Sequence, residues 1–183
     1  MADLSHLRIA VLANDGFEQA ELTEPVKAYK AAGARVDVIG LKAGQIQGFN
    51  HIEKGDMVAV DRTLDEAKPD EYDALLLPGG AVNADLMRAE PKVLAFIKAI
   101  DGAGKPMAVI CPAPWALISS GVARGRTLTS YYTIQDDLRN AGATWVDQEV
   151  VEDGNLVTSR QPDDIPAFNE AAMRLFVKVP AGK

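Results

Sequence analysis

The chain has 183 residues, 48% hydrophobic and 25% charged, with a formal net charge of −7; this suits one globular domain and excludes an extended nucleic-acid footprint, because phosphate contacts need concentrated Lys and Arg. A single cysteine excludes an internal disulfide, and with His6 and His51 as the only imidazoles a structural zinc cluster lacks donors, so no metal and no cofactor is expected. No basic-then-apolar leader and no apolar run of spanning length occurs, which predicts a cytoplasmic protein without a membrane contact.

In chain order, residues 8–13 form a short apolar run stopped by Asn14-Asp15-Gly16, a buried first strand and its turn. A helix follows from about Glu21 to Ala32, with early acids, Pro25 near its start and Gly33 past its end. Residues 35–39 make a second strand. Glycines at 44, 48 and 55 break residues 41–61 into a small β excursion, with residues 57–60 as its best strand. Thr63 and Glu66 have capping-box spacing for a short helix, and residues 72–77 are an apolar strand halted by Pro78-Gly79-Gly80. A helical stripe at 93, 94, 96, 97 and 100 leads into a strand ending at Cys111, and a helix follows. Residues 127–129 read as a strand, 133–140 as a helix, 148–151 and 156–159 as strands joined through Asp153-Gly154, and a last helix opens near Asp163 and runs to about Val177. Residues 1–6 and 179–183 read as loosely ordered tails of one domain spanning 1–183.

Alternating strands and helices predict a mainly parallel sheet covered on both faces, a three-layer α/β/α sandwich. The carboxyl ends of the first, 72–77 and Cys111 strands then meet at one crevice, where such folds bind ligands. A cysteine at a sharp strand-to-helix turn is lifted out of the sheet, and the positive end of the helix favours its thiolate. Without that context, a lone cysteine after Met-Ala-Val-Ile reads as a buried small hydrophobe. The glycine pair Gly79-Gly80 allows close backbone approach to a ligand.

Asp15-Gly16-Phe17-Glu18, Leu77-Pro78-Gly79-Gly80, the Cys111 segment, Gly125-Arg126-Thr127-Leu128-Thr129 and Thr158-Ser159-Arg160-Gln161-Pro162-Asp163-Asp164 together resemble the PfpI family. This is the intracellular-protease and general-stress-protein branch of the superfamily that includes the human parkinsonism-associated protein, with class I glutamine amidotransferases as more distant relatives. The resemblance covers nearly the whole chain and implies a flavodoxin-like, class I glutamine amidotransferase-like fold. It also implies at least a homodimer. Catalytic residues by this resemblance are Cys111, Glu18, a carboxyl that shares a proton with the thiol, and Asp85, the acid often supplied by a neighbouring subunit. Gly79, Gly80, Pro112 and Ala113 stand at the oxyanion and substrate-binding positions. Taken alone, Glu18 is also a solvated first-turn carboxylate, and Asp85 equally a surface helix-cap residue.

The family pattern Cys-His-Gly or Cys-His-Ala reads Cys111-Pro112-Ala113 here, and Ser-Tyr-His reads Ser130-Tyr131-Tyr132, so the imidazole is missing. Proline accepts no proton, which forfeits a general base worth about 10²- to 10⁴-fold. It also has no N–H for an oxyanion hole, worth roughly 10²- to 10³-fold. A residue before proline is moreover pushed towards the extended region, against the strained backbone of an elbow nucleophile. His6 and His51 are expected to be exposed and without a role. The resemblance therefore implies a stress-protective cysteine hydrolase, glyoxalase or deglycase with a weakened site, acting on a small carbonyl compound or a modified protein. The alternative is a non-catalytic redox sensor or protective binding protein that works through oxidation of Cys111.

Overall fold

The computed structural model describes residues 2–181. β1 (Arg8–Leu12) leads through β2 (Phe17–Glu18) into α1 (Gln19–Ala31), followed by β3 (Arg35–Gly40), the hairpin β4 (Gln45–Asn50) and β5 (Glu53–Ala59), and β6 (Arg62–Thr63). β7 (Ala74–Leu77), α2 (Ala81–Arg88), α3 (Pro91–Gly102), β8 (Met107–Ile110) and α4 (Pro114–Ser119) follow. β9 (Thr127–Leu128), α5 (Gln135–Asn140), β10 (Thr144–Trp145), β11 (Val151–Asp153), β12 (Leu156–Ser159) and α6 (Ile165–Phe176) complete the chain.

The main sheet has seven strands in the order β11-β12-β8-β7-β1-β3-β6. All its neighbours pair in parallel except β11 with β12. Alternation along these strands sorts side chains to two faces. Ile9, Val11, Val38, Leu76 and Ile110 pack with Leu22 and Tyr29 of α1 and Phe168 and Phe176 of α6. Ala10, Leu12, Leu75, Leu77 and Val109 pack under Met87 of α2, Val93, Phe96, Ile97 and Ile100 of α3, and Leu117 of α4. The three-layer α/β/α sandwich predicted from element order is therefore present. Among the described residues, no helix is long and apolar enough to cross a membrane.

Several local expectations change. The capping-box spacing at Thr63 produces its bonds, Thr63 N–H and Oγ1–H both donating to Glu66 Oε1 at 3.0 and 2.8 Å, but in a turn rather than a helix. Lys68 is extended before Pro69 (ψ 137°), so no helix can grow through it. α2 was not anticipated as an element. Of the expected tails, residues 1, 182 and 183 lie outside the described residues, while Leu4 is fully buried and donates its N–H to Ala32 O at 2.8 Å. His6 is not free either: its Nε2 lies 2.8 Å from Val179 O, a contact between the two ends of the chain.

Sheet order fixes where ligands enter. The chain leaves β1 towards β3 on one side and returns to β7 on the other, so the strand order reverses between β1 and β7. The crevice beyond the carboxyl ends of such a pair is the ordinary ligand site of an open α/β sheet. The β1–β2 turn, the β7–α2 connection and the end of β8 border it.

Candidate active site

Cys111 follows the fully buried strand β8 and has φ +67°, a conformation that costs a non-glycine residue roughly 1–3 kcal/mol and persists only where surroundings enforce it. Here both backbone groups are tied: Cys111 N–H donates to Ser159 O on β12, and Cys111 O accepts the Tyr131 N–H, both at 3.1 Å. Those two bonds explain why the push of Pro112 towards extended backbone, expected from the sequence, does not prevail. The helix expected after the cysteine is α4, which starts only at Pro114 and has six residues.

The β7–α2 connection passes directly beneath the thiol. A side-chain carbon at Gly79 would overlap both Cys111 Cβ and a Glu21 carboxyl oxygen, so only glycine permits the approach. Gly79 N–H donates to Glu21 Oε1 at 3.0 Å, which removes it from the predicted oxyanion role. The Gly80 backbone works against the rise that burial imposes on the Cys111 thiol pKa, without overcoming it. Ala113 is buried, its N–H donates to Ile110 O at 3.3 Å, and it is not among the residues that line the cavity. Pro112 keeps its place on the cavity wall, without an N–H to offer.

The carboxyl beside the sulfur belongs to Glu21, not to Glu18 as the resemblance suggested. Glu21 is fully buried on α1, lies against Gly79 beside Cys111, and has one oxygen, Oε2, without a partner. Burial first, and the nearby Glu18 second, push its pKa up to about 8. At neutral pH its protonated form therefore predominates and the carboxylate is the minor form. Burial likewise pushes the Cys111 thiol up, and an ionised Glu21 pushes it further. This reverses the helix-driven lowering expected from the sequence. A protonated Glu21, by contrast, presents an O–H that favours negative charge on sulfur. Cys111 and Glu21 thus hold their protons jointly.

Glu18 stands one helical turn away and turns outward, its two carboxylate oxygens each 3.2 Å from the His51 N–H that they accept. The sequence did carry a sign of Glu21. It is in phase with Leu22, Pro25, Val26 and Tyr29, the buried stripe of α1, where an acid is out of place unless it has work to do.

Above the thiol lies a cavity of about 400 Å³. Its walls come from Glu18, the hairpin tip His51 and Ile52, Gly80 and Ala81, Pro112, Trp115, Tyr131, Thr133, and Gln161 to Asp163. Trp115 is oriented by its Nε1–H donating to Asp137 at 2.9 Å and by the Arg88 guanidinium 5.3 Å from its ring centre. The sequence assigned no site role to His51, Trp115, Tyr131 or Gln161. Asp85 is exposed on α2 and is not part of these walls. Tyr132, 61% exposed, does not fill the space of a missing imidazole. Arg160 bonds Asp164 and Asp147 in a turn between β12 and α6.

The model of the DJ-1/PfpI family matches residues 7–175. The chain belongs to the DJ-1/PfpI family. It is 46% identical over 172 residues to protein/nucleic acid deglycase 2 of Escherichia coli, covering 92% of this chain and 97% of that one. With general stress protein 18 of Bacillus subtilis it shares 42% over 173 residues, 93% of this chain and 98% of the relative. Among solved structures, DJ-1beta of Drosophila melanogaster superposes with a TM-score of 0.84 at 30% identity, covering 97% of this chain and 92% of that chain. This member of the DJ-1/PfpI family carries Cys111 at the end of β8 with positive φ, the buried carboxyl of Glu21 near it, and Pro112 directly after it.

Proposed function

We propose that this protein is a cysteine-dependent deglycase or glyoxalase-type hydrolase of carbonyl adducts, weakened by Pro112. The observation that carries this reading is the Cys111–Glu21 pair: a cysteine held at φ +67° below an open cavity, against a buried carboxyl whose pKa is raised to about 8. A thiol that passes its proton to an adjacent carboxylate as it adds to a carbonyl needs no cofactor. Relatives named as a deglycase and as a general stress protein support the same class. Substrates are small dicarbonyls or the early adducts they form on proteins. Asp85 can serve such chemistry only if a second copy of the chain presents it, which makes a homodimer part of the proposal.

The test is turnover of methylglyoxal, and release of its early adducts from a glycated amine, in wild type and Cys111→Ala. Loss of both in the variant supports the reading, and equal rates end it.

Pro112→His gives a further expected result. The substitution returns an N–H and an imidazole beside Cys111, and kcat is expected to rise by about 10²-fold or more. An unchanged kcat in a folded variant would mean that the elbow does not limit the rate.

A further inference from the structure

Among the described residues, two non-glycine residues have positive φ, Cys111 at +67° and His51 at +60°, and both line the same cavity. Strain of this kind concentrates where a side chain must be aimed, although histidine tolerates the left-handed region better than most residues. His51 sits at the tip of the β4–β5 hairpin, and the hairpin is joined to the site twice. β4 pairs in parallel with β2 at Phe17 and Glu18, and the Glu18 carboxylate accepts the His51 N–H with both oxygens. The tip is therefore fixed by a residue that itself walls the cavity. The other histidine, His6, contacts Val179 O and takes no part in this cavity.

We propose that His51, exposed at the hairpin tip where it lines the cavity, supplies the imidazole that Pro112 removes, and acts as the general acid on the substrate oxygen. The inference rests on the carbonyl chemistry proposed for Cys111. In the addition step, taken from the minor form in which Glu21 is ionised, the thiol proton passes to its carboxylate as the sulfur–carbon bond forms. The carbonyl π pair moves to oxygen, and that oxygen takes a proton from the protonated His51 ring. A hemithioacetal, a neutral imidazole and a protonated Glu21 result, with no change in total charge. In the reverse direction the same imidazole takes the proton back as the bond to sulfur breaks. Acting on the substrate oxygen, the ring has no need to touch the thiol, which distinguishes it from a histidine next to the cysteine.

His51→Gly keeps the left-handed turn, because glycine adopts positive φ freely, and leaves a hole for free imidazole. It is expected to lower kcat on methylglyoxal by about 10²-fold while changing KM and the rate of Cys111 alkylation by less than about threefold. Added imidazole is expected to restore at least about tenfold of the loss. His51→Asn, equally tolerant of the turn, serves as the folded control and is expected to be as slow. Cys111-dependent turnover that His51→Gly leaves intact, or a loss that imidazole does not restore, overturns this inference alone. Turnover that Cys111→Ala leaves unchanged overturns the underlying assignment of Cys111 instead.

Discussion

Glu21→Gln is expected to stabilise the protein at alkaline pH relative to wild type, by on the order of 4 kcal/mol more at about pH 9 than at about pH 4. Burial raises the Glu21 pKa from 4.5 to about 8 in the folded protein. The folded state therefore binds more protons than the unfolded state between those values. Its contribution to stability is fully present below about 4.5 and is lost as pH rises through about 8. Glutamine keeps a carbonyl oxygen for the Gly79 N–H and carries no charge to desolvate. Every other titrating group is common to both proteins, so the difference between their denaturant unfolding curves at the two pH values reports this carboxyl and its coupling to Cys111 and Glu18. A difference independent of pH would show that Glu21 does not hold a proton in the folded state.

Gly80→Ala is expected to cost roughly 3 kcal/mol or more and to abolish any Cys111-dependent turnover. Two penalties combine. Its φ of +96° disfavours any side chain, and the added carbon would overlap the backbone of Gly16, Phe17 and Glu18, which cannot yield without moving the β1–β2 connection. Gly121→Ala is the control: φ is +82° there, and nothing lies within 4 Å of the added carbon. It is expected to cost only about 1–2 kcal/mol from backbone conformation. Thermal unfolding of the two variants separates crowding from φ, and equal losses would contradict the close approach of Gly80 to the β1–β2 turn.

The large elements were readable because their signals are local. Apolar runs at 74–77 and 107–110 and the stripe of α3 state their own type. α2 was missed because its sequence, Ala81-Val82-Asn83-Ala84-Asp85-Leu86-Met87-Arg88, buries Asn83 alongside Ala84 and Met87 and so shows no clean stripe. Asn83 is buried because its amide donates to Pro78 O and Gly79 O and its Oδ1 accepts the Asn14 N–H, joining the site loops. At the site, Cys111 and the glycine pair were legible from position. Glu18 stands out in the sequence because it closes the Asp15-Gly16-Phe17-Glu18 block, whereas Glu21 is marked only by the helical phase of α1. The approach of His51 was beyond sequence reasoning, since it depends on how a hairpin with few apolar residues folds back onto β2.

The most direct measurement of whether Cys111 does carbonyl chemistry is a carbon NMR spectrum of the protein with methylglyoxal labelled at a carbonyl carbon. The account predicts a hemithioacetal resonance in wild type that Cys111→Ala lacks. Equal spectra from the two proteins, or free hydrate alone in both, would contradict it.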